Sequence, residues 1–551
     1  MPQPSSHAPV DAVVVGAGAT GGVAAMVLAE AGLRVLVLDA GPEISPQQLR
    51  SREPLHSLQR IANISSGSQR LQANHPGYWK NNPALFVDER RNPYSTPDDA
   101  PFLWSRGRQV GGKSLTWGGI TLRLSEAEFR AGERDGLSPS WPIGSADLAP
   151  YYSRLEKLLG VHGQADGLPQ LPDGDYRPPL PFTPGEDHLR RSVERELGLP
   201  LIHSRGFALH RPTAENPWPA SAAQGVTLAR ALASGRVQIR AEAVVSHLEC
   251  DPNRRRAEAV VLVDGRTGAR ERIAAPLVVL CASTIETLRI LLHSSEENQA
   301  QGLMDPSGCL GRFLMDHIST SRFFAIPGIP EPSEAVELSG AGSCFLPNTV
   351  NLDGDESLPF RRGYGIWTAM QRFTPPRLLR RDPDAAVGFL IAHGEVLPDA
   401  RNRVQLDPQL CDSWGIPAAH ISCRWGANEH AMVSHMHERM EQVVRAGGGT
   451  IRPLEDLFRL PLIEPLLTRS LAVRPEPPAP GYYIHELGGA RMGATPEMGV
   501  VDRWNRCWQA TNVLVTDGSC WPSAGWQSPT LTEMAITWRA CEAASRGQAG
   551  D

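Results

Sequence analysis

Short apolar runs and glycine-rich turns alternate at the start of the chain. Val13 to Val15 form an apolar run typical of a buried strand, and an alanine-rich helical pattern follows until Gly32, which is placed to end the helix. A second apolar run, RVLVLDAG, ends at Asp39. Strand, helix and strand in this order predict a βαβ unit with two parallel strands.

The apolar pattern further along the chain predicts a return to the same sheet. Residues 236–251 and 256–275 carry hairpin-like strand patterns, and residues 276–283 form a buried apolar run. A helical pattern follows at 284–295. This order predicts a β-meander that leads back to the parallel sheet.

The remaining pattern predicts a second unit and a C-terminal return. Residues 324–480 alternate strand patterns with loops, and one helical pattern stands out at 428–448. The last segment, 512–546, predicts a strand, a glycine turn, a loop and a C-terminal helix. Two proline-rich stretches, 169–188 and 472–483, are typical of connectors.

Composition excludes several classes of function. The 551 residues include 54 Lys and Arg against 60 Asp and Glu, which gives a net charge of −6. Because a mildly acidic surface does not attract nucleic acid, we expect no nucleic-acid partner. The nine cysteines include no CxxC pair, which argues against zinc, iron–sulfur and c-type haem sites and against a disulfide framework.

We expect no targeting or membrane-inserted segment. The N-terminus lacks a basic stretch followed by a long apolar run, so no signal peptide is predicted. No apolar run reaches the ~18 residues of a membrane span, so no membrane insertion is predicted. These observations favour the cytoplasm, or the periplasm only if a partner subunit exports the protein.

The first glycine turn carries a dinucleotide-binding motif. Gly16, Gly18 and Gly21 follow the first strand as GxGxxG. Gly16 permits the tight turn, Gly18 lets the backbone approach a pyrophosphate, and Gly21 lets the helix pack against the strand. Asp39 stands where an acid accepts a hydrogen bond from a ribose hydroxyl. The motif alone leaves both a flavin and a nicotinamide cofactor possible.

Two other stretches have two interpretations each. The run WSRGRQVGGKSLTWGG, 104–119, is either backbone that lies flat against a ligand or an ordinary surface loop. His485, in YYIHELGGARMG, is either the base of an enzyme or a histidine satisfied beside a glycine turn. Nothing local decides either case.

Three histidines on or near the helix at 428–448 raise the question of a metal. His430, His435 and His437 are spaced by five and two residues, which does not place all three on one helix face. Neither HxxxH nor HExxH spacing is present. We therefore predict no metal site.

Taken together, these blocks resemble the glucose–methanol–choline (GMC) family of flavin oxidoreductases. The opening βαβ motif is similar to the family's FAD motif, and GRQVGGKSLTWGG is similar to its flavin-contacting glycine loop. LVVLCASTIETLRILL, LGRFLMDH, HELGGARMG and the C-terminal LVTDGSCWPSAGWQSPTLTEM also resemble family segments. Within the family, the sequence is most similar to bacterial sugar and glycoside dehydrogenases and to pyranose-oxidase-like enzymes.

The resemblance implies an α/β fold of two domains. One is a Rossmann-like, glutathione-reductase-type FAD-binding domain with a β-meander, and the other is an α+β substrate-binding domain with an antiparallel sheet. The predicted boundaries are 1–160 for the first FAD-binding part (with an inserted loop region at about 43–100), 161–225 for a proline-rich connector on the substrate side, 226–323 for the second FAD-binding part, 324–480 for the substrate-binding domain and 481–551 for the C-terminal FAD-binding part.

The family pattern also implies which residues contact FAD. The glycine motif and Asp39 are expected to bind the ADP half of FAD, and the backbone of Val244 is expected to contact the adenine. The expected flavin-side residues are Gly111, Gly112, Ser114, Trp117, Asp517, Gly518, Pro529 and Thr530. Some relatives attach FAD through a histidine shortly after the loop serine; here Leu115, Thr116 and Trp117 follow Ser114, so we expect non-covalent FAD.

His485 matches the catalytic histidine of the family. Hydride leaves an alcohol carbon only as the hydroxyl proton is removed, and a neutral imidazole suits that task. The second active-site position departs from the pattern, because Ser528 stands where the family has asparagine or histidine. Ser528 contacts substrate through its shorter hydroxyl, or Trp526 or Gln527 replaces it, or His485 acts alone.

The implied function is FAD-dependent oxidation of an alcohol. The substrate expected first is a sugar or glycoside, oxidised at a secondary hydroxyl of its ring. The electron acceptor is oxygen, a quinone or a partner cytochrome. Two alternatives keep the flavin: oxidation of a non-sugar alcohol or natural-product intermediate, and a flavin-binding protein with weak or no turnover because of Ser528. A nicotinamide dehydrogenase is the alternative on the glycine motif alone.

Overall fold

The computed structural model describes residues 10–49, 52–251, 253–297, 305–334, 336–352, 357–373, 380–458 and 476–547. Residues 1–9, on which the signal-peptide prediction rests, and residues 472–475 of the second proline-rich stretch lie outside the described residues. The strands are β1 Ala12–Val15, β2 Val35–Leu38, β3 Tyr94–Ser95, β4 Ile202–His203, β5 Val237–Arg240, β6 Ala243–Asp251, β7 Arg256–Asp264, β8 Arg270–Ala274, β9 Leu277–Leu280, β10 Ile318–Pro327, β11 Cys344–Leu346, β12 Tyr364–Met370, β13 Ala385–Gly394, β14 Arg403–Cys411, β15 Pro417–Ser422, β16 Thr450–Ile451, β17 Arg506–Cys507 and β18 Ala510–Val515.

The helices lie in the connections between these strands, except for the last, which follows β18. They are α1 Ala19–Glu30, α2 Leu55–Ser66, α3 Pro76–Lys80, α4 Glu126–Phe129, α5 Ala131–Asp135, α6 Ser145–Leu159, α7 Pro184–Leu197, α8 Thr227–Ala233, α9 Thr284–Glu297, α10 Ala427–Ala446, α11 Leu454–Leu457 and α12 Thr530–Ser545.

A six-stranded sheet forms the first unit. Its strand order is β17-β18-β9-β1-β2-β5, and β1 pairs in parallel with both β2 and β9. Strands β1 and β2 are apolar and buried along their whole length, since the sheet packs against α1 and against strands β6 and β7 of the β-meander. The antiparallel sheet β6-β7-β8 is the predicted β-meander, and β9 then returns to the parallel sheet as predicted.

Helix α1 is buried on nearly every side. Its residues from Thr20 to Ala29 are buried, since the helix packs between the parallel sheet, α8 and α12. The close approach to β1 requires a glycine: a Cβ added at Gly21 would lie 1.9 Å from the carbonyl oxygen of Gly16. The packing task predicted for this third glycine is therefore present.

An antiparallel sheet forms the second unit, as predicted. Its order is β16-β10-β13-β12-β11-β4, and β10 pairs with β13 along its whole length. Helices α10 and α7 pack together over this sheet. Met432, Met436 and Met440 of α10 are buried against Phe324 and Leu390 of the sheet, which gives the second unit its own core.

The structure differs from the expected boundaries in two places. Strand β10 begins at Ile318, before residue 324, and the connector 161–225 contributes β4 and α7 to the second unit. Helix α7 begins inside the proline-rich stretch because Thr183 and Glu186 form a capping box around Pro184. The high proline content concealed this start signal.

None of the helices in the described ranges is long and apolar enough to cross a membrane.

Replacing Gly21 and Gly18 by alanine, one at a time, tests which of the two glycines is required by packing. We expect Gly21→Ala to lower the thermal unfolding temperature of the cofactor-free protein, because the new Cβ meets backbone that cannot move away; overpacking of this kind costs about 1–3 kcal/mol. Gly18→Ala should unfold like the wild type, since its nearest neighbour, the Gly111 oxygen, would be 3.9 Å away and its φ is −77°. Equal loss of stability in both variants would contradict this assignment of the two glycines.

Candidate active site

A cleft opens where the carboxyl ends of the parallel strands meet, which is where sheets of this type bind ligands. Eleven of the sequence-predicted residues line it: Gly16, Gly18, Asp39, Gly112, Ser114, Trp117, Val244, His485, Asp517, Pro529 and Thr530. The stretch 104–119 therefore forms a wall of the cleft. Four predicted residues lie outside the lining: Gly21, Gly111, Gly518 and Ser528.

The glycine turn presents backbone to the cleft. Gly16 has φ +100°, and a Cβ there would lie 2.3 Å from the Cys281 oxygen. Gly18 precedes α1, whose free N–H groups and positive dipole end suit a phosphate. The Asp39 carboxylate accepts hydrogen bonds from the N–H groups of Ala17 and Gly41, at 2.9 Å each. Burial raises the pKa of Asp39, and these two bonds oppose the rise.

Two predicted residues combine lining with structural support. The Ser114 hydroxyl donates to the Gly111 carbonyl at 2.6 Å and accepts from the Ala223 N–H at 3.0 Å. The indole N–H of Trp117 donates to the Ser221 carbonyl at 3.1 Å. Both side chains thus hold the loop 104–119 against residues 221–223, and both face the cleft.

At the C-terminal side, Asp517 faces the cleft and Gly518 packs behind it. Asp517 accepts from the N–H and hydroxyl of Ser519 at 3.1 and 2.6 Å. A Cβ at Gly518 would lie 2.6 Å from the Thr284 hydroxyl and 2.7 Å from the Glu486 carbonyl. Gly518 is therefore required by close packing, which the sequence alone did not distinguish from ligand contact.

A buried carboxylate fixes the backbone around His485. One oxygen of Asp316 accepts from the backbone N–H groups of His317 and His485, at 2.8 and 2.9 Å. The other accepts from the N–H of Gly481 at 2.8 Å. Burial, with a smaller contribution from Glu486, raises the pKa of Asp316 to about 7. The carboxylate joins the residue before β10 to the C-terminal segment.

The imidazole of His485 lies in a cluster of rings. Its Nδ1 is 2.7 Å from Nδ1 of His317, whose Nε2 is 2.7 Å from the Gly525 carbonyl. The ring centroids of Tyr483 and His393 lie 4.7 and 6.4 Å from that of His485. Burial and the neighbouring histidines hold the pKa of His485 well below its usual range, so that the ring is neutral.

The residue before His485 is strained. Ile484 has φ +65°, in the left-handed region that β-branched residues seldom adopt. Such a conformation costs about 1–3 kcal/mol and persists only where surrounding contacts impose it. The bonds of Asp316 to His485 and Gly481 lie on both sides of Ile484 and supply that constraint. The strain aims the His485 side chain at the cleft wall, which both residues line.

The segment that carries the predicted second active-site position, residues 526–528, is buried. Ser528 is buried, and the adjacent Trp526 packs against Phe345 with ring centroids 5.8 Å apart. The indole N–H of Trp526 and Nε2 of His393 are buried without a partner in the described part of the chain. The hydroxyl of Tyr483 lies 2.9 Å from Nδ1 of His393.

Charged residues gather beside the histidine cluster. Lys113 pairs with Glu486 at 2.6 Å, and the carboxylate is almost fully buried. Burial, with a contribution from Asp517, raises the pKa of Glu533 on the cleft wall to about 8. Lys113 thus brings a cation to the end of the cleft that holds His485.

Sequence reasoning missed four members of this cluster: Asp316, His317, His393 and Tyr483. The family-like segment LGRFLMDH contains the first two and is the sequence signal for them. His393 lies within a strand pattern with no neighbouring motif, so only the pairing of β10 with β13 brings it to the site. The histidines on α10 are used separately: His435 contacts the Tyr364 hydroxyl and His437 the Thr320 hydroxyl.

No group of three or more His, Cys, Asp or Glu that could hold a metal ion occurs among the residues that the structure describes. All nine cysteines are unpaired.

Fold and cleft together define a dinucleotide-binding oxidoreductase of the Rossmann type. A family model described as GMC oxidoreductase matches residues 398–537, and one described as an NAD(P)-binding Rossmann-like domain matches residues 14–73. The chain carries both domains, and the resemblance to the GMC oxidoreductase family is confirmed.

Curated relatives match over almost the full chain. The chain is 27% identical to 2-methyl-1,2-propanediol dehydrogenase of Mycolicibacterium austroafricanum, over 97% of this chain and 95% of the relative. It is 26% identical to the fructose dehydrogenase large subunit of Gluconobacter japonicus, over 97% of each chain. It is 24% identical to C-glycoside 3-oxidase of Microbacterium trichothecenolyticum, over 97% and 96%.

Solved structures share the fold. Pyridoxine 4-oxidase from Mesorbium loti gives a TM-score of 0.58 at 18% identity, over 97% of this chain and 98% of that one. The R554K variant of formate oxidase from Aspergillus oryzae RIB40 gives a TM-score of 0.64 at 16% identity, over 99% of this chain and 100% of that one.

Acidification should destabilise the protein through its buried neutral histidines. Burial lowers the pKa of His317 to about 4, whereas an unfolded histidine titrates near ~6.5. Between these values the unfolded chain binds a proton that the folded chain does not, so stability falls as pH drops from 7 to 4. We expect His317→Gln to reduce the slope of the unfolding free energy by about 1.4 kcal/mol per pH unit in this range.

Denaturant midpoints of wild type and variant at pH 7, 6, 5 and 4 measure this slope. Asp316 is present in both proteins, so its contribution of opposite sign cancels. His430→Gln, at an exposed position on α10, is the control and should keep the wild-type slope. A His317→Gln slope equal to that of the wild type would show that this histidine titrates normally in the folded protein.

Proposed function

We propose that this chain is an FAD-dependent oxidoreductase that removes hydride from the carbon of a CH–OH group, with His485 as the general base. The substrate class proposed first is a sugar or glycoside oxidised at a ring secondary hydroxyl. The observation that carries the proposal is the position of His485: a neutral imidazole on the wall of a dinucleotide cleft, held there by Asp316 through strained backbone.

The residues of the cleft fit FAD. Gly18 and the start of α1 offer backbone N–H groups for the pyrophosphate, and Asp39 faces the cleft where a ribose would lie. Arg108 also lines the cleft, and its guanidinium carbon lies 4.5 Å from the centroid of the Trp414 ring. Its buried Nε and Nη2 have no hydrogen-bond partner among the described residues. An unpartnered buried guanidinium suits the polar ADP half of the cofactor.

The protein groups then have distinct tasks. FAD, when bound, supplies the two-electron acceptor for the hydride. His485 accepts the hydroxyl proton of the substrate, and its neutral form makes it available as a base at neutral pH. Asp316 keeps the His485 backbone in place and takes no proton from the substrate. Lys113 supplies a fixed positive charge near the site.

A second substrate contact is proposed from the unpartnered groups rather than from Ser528 alone. Nε2 of His393 and the indole N–H of Trp526 are both buried beside the cluster. Each can form a hydrogen bond to a substrate oxygen, which is the task that asparagine or histidine performs at the Ser528 position of other family members. None of His393, Trp526 and Ser528 lines the cleft, so the unpartnered atoms, and not their position in the lining, favour the first two.

The names of the relatives favour two substrate classes. Fructose dehydrogenase and C-glycoside 3-oxidase support a sugar or glycoside for this chain. The relative named 2-methyl-1,2-propanediol dehydrogenase supports a small non-sugar alcohol as the second candidate. Both dehydrogenases and an oxidase occur among these names, so oxygen, a quinone and a partner cytochrome are all proposed acceptors. We propose the cytoplasm as the location of the enzyme, or the periplasm only if a partner subunit exports it.

The central test is anaerobic reduction of the bound flavin. A panel of sugars, glycosides and simple alcohols is mixed with the yellow protein, and bleaching of the flavin is followed by absorbance. We expect at least one alcohol to bleach the wild type. His485→Ala should keep its flavin and lose at least ~100-fold in the reduction rate, because general base catalysis contributes 10²–10⁴.

His437→Ala is the matched control, since that histidine contacts Thr320 away from the cleft and should leave the rate unchanged. Rapid bleaching of His485→Ala would refute its role as the base. A yellow wild-type protein that no alcohol bleaches would favour a flavin-binding protein without alcohol oxidation. A colourless protein would favour the nicotinamide alternative.

FAD should leave the protein on acid precipitation. Covalent flavin attachment needs a protein nucleophile, and the cleft-lining histidine and cysteine among the described residues are His485 and Cys281. Burial raises the pKa of the Cys281 thiol to about 12, so it is not a thiolate at neutral pH. We expect all yellow colour in the supernatant after precipitation of the wild type; colour retained in the pellet would show a covalent bond.

A further inference from the structure

We infer that His317 is a positioning residue that fixes the tautomer of His485, so that the free lone pair of His485 lies on Nε2. This inference rests on the proposed function for its consequence in catalysis, but the tautomer itself follows from hydrogen-bond chemistry. It concerns two histidines that lie 168 positions apart in the chain and meet at 2.7 Å.

The argument begins at the Gly525 carbonyl. A carbonyl oxygen only accepts hydrogen bonds, so Nε2 of His317, 2.7 Å away, carries a hydrogen. His317 is completely buried, and burial lowers its pKa to about 4, so the ring is neutral near pH 7. A neutral imidazole has one N–H, which leaves Nδ1 of His317 as an acceptor.

The acceptor on His317 then determines the state of His485. The two Nδ1 atoms are 2.7 Å apart, a distance that requires a hydrogen between them. Because His317 cannot supply that hydrogen, Nδ1 of His485 does. A neutral His485 therefore has an unprotonated Nε2, which can accept the hydroxyl proton of the substrate.

Both ends of this chain of hydrogen bonds are held rigidly. The Gly525 N–H bonds to the buried Glu395 carboxylate, which Arg362 pairs at 2.6 Å. At the other end, one oxygen of Asp316 accepts hydrogen bonds from the backbone N–H groups of both histidines, which fixes the backbone that carries the two rings. Neither ring can therefore turn over without breaking a buried hydrogen bond.

The same arrangement remains intact when the proton arrives. The substrate O–H bond breaks, and the proton forms a new bond to Nε2 of His485. The resulting imidazolium carries N–H on both nitrogens, and its Nδ1–H still donates to His317. No ring rotation or tautomer exchange is needed during the step, which is the advantage of a base whose other nitrogen has a fixed acceptor.

Two substitutions separate positioning from simple packing. In His317→Asn, the side-chain oxygen can take the place of Nδ1 and accept from His485, while contact with Gly525 is lost. In His317→Gln, the terminal amide can take the place of Nε2 and donate to Gly525, while the acceptor for His485 is lost. Only the first variant preserves the group that we infer to matter.

The limiting rate of anaerobic flavin reduction, the apparent dissociation constant of the alcohol and the thermal unfolding temperature are measured for both variants. We expect His317→Asn to keep the rate within ~10-fold of the wild type and His317→Gln to lose at least ~100-fold, with little change in the dissociation constant; misplacing the tautomer of a catalytic histidine costs up to ~10⁴ in a serine protease. Equal rates in the two variants, or a larger loss in His317→Asn, would overturn the inference.

A direct measurement removes the dependence on turnover. The ¹⁵N chemical shifts of histidine-labelled holoenzyme, with His485 assigned by comparison with His485→Ala, distinguish a protonated Nδ1 from a protonated Nε2. We expect protonated Nδ1 in the wild type and in His317→Asn, and a mixture in His317→Gln. Protonated Nε2 in the wild type would refute the inference whether or not any alcohol reduces the flavin. Protonated Nδ1 with no bleaching would instead count against the proposed function.

Discussion

The Asp316 carboxylate is the interaction on which the arrangement of the site depends. It is completely buried, and it binds three backbone N–H groups from two distant parts of the chain. One part leads into β10 of the antiparallel sheet, and the other leads towards the last strands of the parallel sheet. A carboxylate can accept several such bonds at once, which no neutral side chain of its size can do. The two units of the protein are therefore joined where the chemistry is proposed.

Strained backbone occurs at several places in the described chain, and two of the strained residues lie at the cleft. Ile484 and Ser283 both have positive φ, at +65° and +76°, and both line the cleft. Glycine is the residue that adopts such angles without cost, and neither position has it. Each of these conformations opposes folding by a small amount, and the surrounding hydrogen bonds offset that cost. At Ile484 the hydrogen bonds of Asp316 to the flanking residues Gly481 and His485 impose the conformation.

The fold was predictable because its signals are local and repeated. The apolar runs of β1, β2 and β9 and the glycine turn at Gly16 each indicate a parallel dinucleotide-binding sheet. Helix α7 escaped prediction because its capping box lies among prolines, and the contribution of β4 to the second sheet depends on pairing with β11, which is more than a hundred residues away. Long-range pairing leaves no pattern within a short window of sequence.

The candidate site was predictable only where a motif accompanies the residue. His485 and the cleft glycines stand in recognisable segments, whereas His393 stands in an ordinary strand and reaches the site through sheet register. Ser528 is the opposite case: its place in a family-like segment predicts substrate contact, and that contact stays a prediction because the residue is buried and does not line the cleft. A motif identifies a segment of backbone, and the packing of that segment decides which of its side chains faces the ligand.

The neutral surroundings of His485 determine how long it can hold a proton. His317 stabilises the protonated ring only through a lone pair, and the nearest carboxylate that bonds to this segment, Asp316, is directed at backbone N–H groups. Burial and the neighbouring rings keep the pKa of His485 low. The protonated ring is therefore less stable at this site than a protonated histidine in water. In the function that we propose, the proton taken from the substrate would therefore leave His485 readily in the second half of the reaction. A base of this kind favours fast turnover over tight retention of the proton, provided that its free nitrogen already faces the substrate.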